Sequence, residues 1–156
     1  MSISNTLQRF LTSHNVNYEV ITHPYSETSM ASAQTAHVPV ERMVKAVVLK
    51  DEKGYVIAAI PSTNHLNLRE INQAMKRQLD LASEEELCEL FGDCSAGAIP
   101  AVGEAFGMPT IWDEQLAYEP DFYLEGGDHQ ELVHISHYDF MEMMKSCPHG
   151  TFSAHN

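Results

Sequence analysis

The stretch "VKAVVLK", residues 44–50, followed by the polar turn "DEKG" and by "YVIAAIP", residues 55–61, decides the fold. Two runs rich in β-branched and apolar residues on either side of a short turn that ends in glycine predict a β-hairpin. Alternation along the first strand places Lys45 on the same face as Val47 and Leu49. Both faces of this strand are apolar, so Lys45 is a charged residue at a position where its charge can lose contact with water.

The rest of the chain mixes short helices and strands irregularly, which predicts a single α/β domain. Thr28 is a good helix N-cap, and Ser83 with Glu86 forms a capping-box pattern. We expect a mixed, barrel-like β-sheet with surrounding helices over residues 1–146 and a flexible tail at 147–156. Helices are predicted at 4–13, 29–37, 67–76, 83–91 and 137–145, and strands at 16–24, 44–50, 55–61, 78–82, 110–114, 121–127 and 131–136.

Composition limits the class of protein. A chain of 156 residues with 44% hydrophobic and 20% charged residues is typical of one globular domain with a core. The apolar runs are too short for a transmembrane helix, and the N-terminal segment resembles an amphipathic helix rather than a signal peptide. Three cysteines without a CxxC pair indicate a reduced protein, so we expect a cytoplasmic location.

The charge balance argues against a nucleic-acid-binding protein that acts alone. Nine Lys and Arg residues stand against 22 Asp and Glu residues, for a net charge of −13. Phosphate neutralisation supplies most non-specific affinity for DNA and RNA, and this chain repels a polyanion on average. We therefore expect no DNA partner. Any role with RNA must depend on local basic groups or on the help of a partner protein.

Two features are candidates for chemistry. Lys45 either extends its ammonium to solvent or lies at the floor of a pocket and binds a phosphate or carboxylate. The glycine-rich segment "AGAIPAVG", residues 96–103, is either a tight turn or a loop whose backbone N–H groups hold a developing oxyanion. A Walker loop is excluded because no GKS or GKT follows the glycines.

The nine histidines form no recognisable metal site. No HExxH spacing is present, and the cysteines are too scattered for zinc, so we expect no metal and no cofactor. His65 follows a strand and His129 lies in a turn after two glycines, where each is either a surface residue or a pocket residue. There is no GxSxG and no cysteine motif that marks a nucleophile.

A set of weak motifs gains meaning from its order. These are "HP" at 23–24, Thr28 opening a helix, "VP" at 38–39, "VKAVVLK", "PSTNHLNL" at 61–68, "LASEEEL" at 81–87, "GAIPAVG" at 97–103 and "EGGDHQELVHIS" at 125–136. In this order they resemble the YbaK/prolyl-tRNA synthetase-associated editing-domain family, from about residue 3 to residue 145. Members of that family are single α/β domains that hydrolyse wrongly charged aminoacyl-tRNA, typically alanyl- or cysteinyl-tRNA for proline.

The resemblance implies roles for particular residues. Lys45 matches the pocket lysine that contacts the phosphate or ribose near the tRNA 3′ end. The family's GxxxP loop matches residues 97–101, so the amides of Gly97, Ala98 and Ile99 are expected to hold the scissile carbonyl. The remaining positions are expected to bind or orient the substrate: Thr28, Met30, Val47, His65, Pro100, Ala101, Gly103 and His129.

One position departs from the family pattern. Ala101 stands where the loop usually has proline, and Pro100 comes one place early. Backbone amides do not depend on the side chain, but the rigidity of the loop does. The resemblance implies a deacylase that acts in trans on mischarged tRNA, with or without an aminoacyl-tRNA synthetase as partner. Two alternatives to this function therefore stay open. One is a non-catalytic module that binds an aminoacyl group or tRNA, and the other is a hydrolase of another small acyl ester.

Overall fold

The computed structural model of the protein describes residues 3–155. Residues 1, 2 and 156, which the predicted domain and tail include, lie outside the described residues. The helices are α1 (Asn5–Ser13), α2 (Ser29–Thr35), α3 (Leu68–Met75), α4 (Glu84–Leu90) and α5 (His137–Met144). The strands are β1 (Tyr18–Thr22), β2 (Met43–Asp51), β3 (Gly54–Pro61), β4 (Asn64–Leu66), β5 (Asp80–Leu81), β6 (Thr110–Asp113), β7 (Asp121–Glu125), β8 (Glu131–Ser136), β9 (His149–Gly150) and β10 (Ser153–His155).

The predicted hairpin is the centre of the fold. Strands β2 and β3 pair antiparallel from Val44 opposite Pro61 to Asp51 opposite Gly54. They lie in the middle of a mixed sheet in the order β1-β8-β7-β2-β3-β6-β9. The pairs β2–β7, β3–β6 and β6–β9 are parallel, and the others along this path are antiparallel. This is the mixed α/β domain that the sequence predicts.

The helix signals in the sequence are confirmed by the caps. The Thr28 hydroxyl accepts a hydrogen bond from the Ala31 amide at 3.1 Å and begins α2. Ser83 and Glu86 form the reciprocal capping box that begins α4. Each satisfies backbone donors that a helix start leaves unpaired.

The segment 147–156, for which we expect a flexible tail, contains two short strands among the residues that the structure describes. Strand β9 pairs with β6, and β10 pairs with β4 through Ala154 opposite His65. The side chain of Phe152 is buried in the core next to Ile71 of α3. The segment is therefore part of the domain, because it covers one face of the β2–β3 hairpin.

The outer edge of β2 is interrupted, and this interruption positions the candidate site. Strand β7 pairs with β2 at Met43 and Val44, and β5 pairs with the same edge at Leu49 and Lys50. Between them, residues 45–47 have no paired strand on that edge within residues 3–155. A break of this kind leaves backbone and side chains accessible in the middle of a sheet.

Candidate functional site

Lys45 lies in this break and carries a positive charge without an acidic partner. Its Nζ donates a hydrogen bond to the carbonyl oxygen of Asn64 at 2.8 Å. No carboxylate of residues 3–155 lies within salt-bridge distance of it. Burial lowers the pKa of Lys45 from its ordinary value, because the charged form loses part of its hydration. The site therefore holds a partly desolvated cation with capacity to bind an anion.

The face of β2 that carries Lys45 is the one covered by α3. Leu49 belongs to the same buried cluster as Ile71 of α3, and Val47 packs against that cluster. The sequence predicts that these three β2 residues share a face, and the structure agrees. Val47 therefore lies beside Lys45, while its role as a wall of the substrate pocket stays a prediction.

The glycine-rich segment forms a short 3-10 turn at Ala96–Ala98. The Ala98 amide donates to the Ser95 carbonyl at 2.9 Å, so one of the three expected oxyanion donors is already engaged. The amides of Gly97 and Ile99 have no acceptor among the described residues. Ile99 is buried against Val48 and anchors the turn on the sheet. The loop thus offers two backbone donors on a fixed support.

Gly97 is the point where three parts of the chain meet. A Cβ atom at this position would lie 2.8 Å from the carbonyl oxygen of Glu27 and 2.8 Å from Cε1 of His129. Real Cβ atoms are not found so close to such neighbours, so this position needs glycine. The contact brings together the loop, the segment before α2 and the turn that contains His129. Thr28 and Met30 follow Glu27 closely in the chain.

His129 is held in an unusual conformation at this junction. Its φ is +65°, a region that residues other than glycine seldom occupy. The Asp128 carboxylate accepts hydrogen bonds from the amides of Gln130 and Glu131 and so maintains the turn. The ring is buried, and its Nδ1 has no partner among the described residues. Strained and unsatisfied groups of this kind occur often at functional sites.

Glu125 is a functional candidate that the sequence analysis missed. Its Oε2 accepts hydrogen bonds from the hydroxyls of Ser29 and Ser32, both at 3.2 Å, and so ties α2 to the end of β7. Burial raises its pKa to about 7, and the charge of Asp128 adds to the effect. The only sequence signal is an acidic residue that directly precedes a Gly-Gly pair.

We expect the stability of the protein to fall as pH rises through the pKa of Glu125. The folded-state pKa is raised to about 7, above the ordinary value of 4.5. The contribution of the protonated Glu125 to stability is therefore complete below about pH 4.5 and is lost above about pH 7. The loss amounts to about 3 kcal/mol of unfolding free energy. Glu125→Gln keeps an acceptor for the two serines and does not ionise.

Urea unfolding of the wild type and Glu125→Gln at both ends of this range measures the effect. The unfolding free energy of Glu125→Gln minus that of the wild type should increase by about 3 kcal/mol from low to high pH. Other ionisable groups are common to both proteins and cancel. A difference that is the same at both pH values would show that Glu125 does not titrate in this way.

Four other expected site residues have different surroundings. His65 is exposed on β4, next to Asn64, whose carbonyl binds Lys45. Pro100 and Ala101 are buried, and Ala101 belongs to the main core. A Cβ on Gly103 would lie 2.6 Å from the carbonyl oxygen of Met108, so close packing already requires glycine there. Their roles in substrate binding stay predictions.

Comparisons with known proteins give matches over most of this chain. A family model described as an aminoacyl-tRNA editing domain matches residues 23–143. The proline–tRNA ligase of Thermosipho africanus is 29% identical over 109 residues, which are 69% of this chain and 19% of that protein. The ligase of Thermosipho melanesiensis is 28% identical over the same length. The chain thus spans about a fifth of the length of the curated relatives that it matches.

Solved structures show the same fold. A crystal structure described as a proposed trans-editing enzyme for prolyl-tRNA synthetase superposes with a TM-score of 0.83 at 24% identity, over 98% of this chain and 99% of that one. A crystal structure described as a proposed signal transduction protein from Marinobacter aquaeolei VT8 superposes with a TM-score of 0.77 at 16% identity, over 96% of this chain and 30% of that one. Among residues 3–155, no helix has the length and apolar character to cross a membrane.

Proposed function

Because this chain belongs to the aminoacyl-tRNA editing domain family, we propose that it hydrolyses the ester of mischarged tRNA in trans. The proposed substrates are alanyl- or cysteinyl-tRNA for proline, in the cytoplasm. The observation that carries the proposal is the partly desolvated ammonium of Lys45, which lies in a break of the central sheet and has no acidic partner among residues 3–155. A cation in this environment suits a phosphate or ribose oxygen of the tRNA 3′ end.

The proposed mechanism assigns separate tasks to Lys45 and to the loop. Lys45 fixes the ribose-phosphate of the terminal adenosine. The free amides of Gly97 and Ile99 then donate to the oxygen that becomes negative when water attacks the ester carbonyl. The proposal assigns the role of base to no protein side chain, and the free ribose hydroxyl of the substrate orients the attacking water.

Selectivity is proposed to follow the size of the amino-acid side chain. Met30 is exposed in the first turn of α2, three residues after Glu27, and Val47 is next to Lys45 on the same face of β2. Together they would bound an apolar pocket for alanine or cysteine. Steric exclusion of a larger side chain is effective, whereas one methylene is worth only about 1–3 kcal/mol in such a pocket. Rejection of proline therefore depends on a tight fit.

The alanine at the last position of the loop does not argue against catalysis in this fold. Ala101 is fully buried in the main core, and Ile99 is buried in a second cluster. These two anchors restrain the segment on both sides of Pro100. Packing can thus supply the rigidity that proline supplies in the family pattern. The amides of Gly97 and Ile99 can keep their directions without a proline at position 101.

The charge of the protein implies help with tRNA binding. A net charge of −13 opposes the approach of a polyanion, so intrinsic affinity should be low. The affinity that remains depends on local contacts such as that of Lys45 with a phosphate, and salt should weaken those contacts. Recruitment by an aminoacyl-tRNA synthetase would raise the local concentration of substrate. We propose such a partner for this reason.

A substrate panel tests the proposed function. Alanyl-, cysteinyl-, seryl- and prolyl-tRNA for proline, each with radiolabelled amino acid, are incubated with the wild-type protein at low salt. We expect rapid loss of label from the alanyl or cysteinyl species and a rate near the uncatalysed one for prolyl-tRNA. If none of the four is hydrolysed by folded protein, the non-catalytic binding module becomes the better account.

A further inference from the structure

Tyr25 is an exposed aromatic side chain next to the proposed site. Among residues 3–155 six large apolar side chains are exposed, and Tyr25, with 58% exposure, is one of them. Single exposed aromatic residues are common on protein surfaces. Tyr25, however, lies two residues before Glu27, whose carbonyl contacts Gly97, and its ring contacts His129. None of the roles assigned above uses it.

The backbone on both sides of Tyr25 is fixed. The His23 amide donates to the Gln130 carbonyl at 2.8 Å, and the Ser26 amide donates to the His129 carbonyl at 3.3 Å. The Ser26 hydroxyl is also hydrogen-bonded to that of Ser32 in α2, at 2.8 Å. The ring of Tyr25 lies 5.2 Å from the ring of His129, tilted by 56°. Tyr25 thus offers a ring that is open to solvent on a backbone that is already ordered.

We propose that Tyr25 is a stacking platform for the terminal adenine of the tRNA. This inference rests on the proposed function, since the ester joins the amino acid to the ribose that carries this base. A ribose at the Gly97 loop places its base one glycosidic bond away, within the surroundings of Tyr25 and His129. Stacking on aromatic rings is the common way in which proteins hold unpaired RNA bases. It needs no positive charge, which suits a chain with a net charge of −13.

Binding of an uncharged trinucleotide tests the platform without any hydrolysis. The probes are CCA and the same trinucleotide with an abasic terminal ribose, titrated by calorimetry or NMR. Tyr25→Ala should raise the dissociation constant for CCA by about 10-fold or more, from the usual strength of base–aromatic stacking. Tyr25→Phe keeps the ring and should bind within about twofold of wild type. Tyr118→Ala, a tyrosine with 87% exposure, is the matched control and should change nothing.

The abasic probe separates stacking from a general loss of the site. It should bind the wild type and Tyr25→Ala equally weakly. In deacylation, Tyr25→Ala should raise KM for mischarged tRNA and leave kcat near the wild-type value.

The two proposals fail in different ways. The platform is overturned if Tyr25→Ala binds CCA as well as the wild type, if it weakens the abasic probe to the same degree, or if the wild type binds no CCA at millimolar concentration. If CCA binding depends on Tyr25 but no aminoacyl-tRNA is hydrolysed, the platform stands and the deacylase function does not.

Discussion

Lys45→Met should lower the rate of deacylation of mischarged tRNA by about 10²- to 10³-fold, with no loss of folded stability. Removing one member of a partly desolvated charge contact costs about 2–5 kcal/mol, and the middle of that range corresponds to these rates. In the proposed complex, that contact joins the Lys45 ammonium to the ribose-phosphate of the terminal adenosine. The deacylation that remains in Lys45→Met is expected to depend on the loop amides.

The stability part of this prediction follows from the pKa of Lys45. Burial lowers this pKa in the folded protein, so the unfolded chain binds the proton more tightly. Lys45 therefore contributes to stability at pH values above its pKa in the unfolded chain. That contribution is lost as pH falls through the pKa of Lys45 in the folded protein. At neutral pH the charged lysine therefore carries a cost of burial, and methionine, which fills similar space without charge, removes it. The melting temperature of Lys45→Met should equal or exceed that of the wild type.

Single-turnover deacylation and thermal unfolding at neutral pH measure both parts. Lys53→Met is the matched control, because Lys53 is an exposed lysine in the turn of the same hairpin. It should leave rate and stability unchanged. A Lys45→Met protein that is folded and as active as the wild type would remove Lys45 from the mechanism.

Gly97→Ala should lower the deacylation rate by about 10²- to 10³-fold, the usual cost of losing one oxyanion donor. The added methyl group would lie 2.8 Å from the Glu27 carbonyl and 2.8 Å from the His129 ring. A backbone carbonyl cannot easily yield, so the loop must shift and its amides no longer point at the carbonyl of the ester. The effect should fall mainly on kcat.

Gly92→Ala is the control for this substitution. A Cβ at Gly92 meets no atom within 4 Å, and the residue precedes the same glycine-rich segment. Its rate should match that of the wild type, and both variants should remain folded by circular dichroism. Full activity of Gly97→Ala would show that the loop does not hold the oxyanion.

The sequence predicts the centre of the fold because the decisive signals are local. The β2–β3 hairpin follows from alternation around one turn, and the starts of α2 and α4 follow from Thr28 and Ser83 as caps. The last residues are different. Strands β9 and β10 have two and three residues, and they form because they pair with strands that are distant in sequence. A short pattern ending in polar residues cannot show this.

The candidate site shows the same division. Lys45 and Gly97 stand out in the sequence as a charge among apolar residues and a glycine among small ones. Glu125 and Tyr25 do not, because their meaning lies in contacts made across the fold. The carboxylate of Glu125 is buried only because α2 packs over the end of β7. Tyr25 is placed only because the amides of His23 and Ser26, on either side of it, bond to the turn that contains His129.

The most direct test of the account is single-turnover hydrolysis of alanyl- and cysteinyl-tRNA for proline, with wild-type protein, Lys45→Met and Gly97→Ala in excess over substrate. We predict that the wild type removes the amino acid from at least one of the two, and that both folded variants act at least about 10²-fold more slowly. Equal rates for the wild type and both variants would contradict a site built on Lys45 and the Gly97 loop.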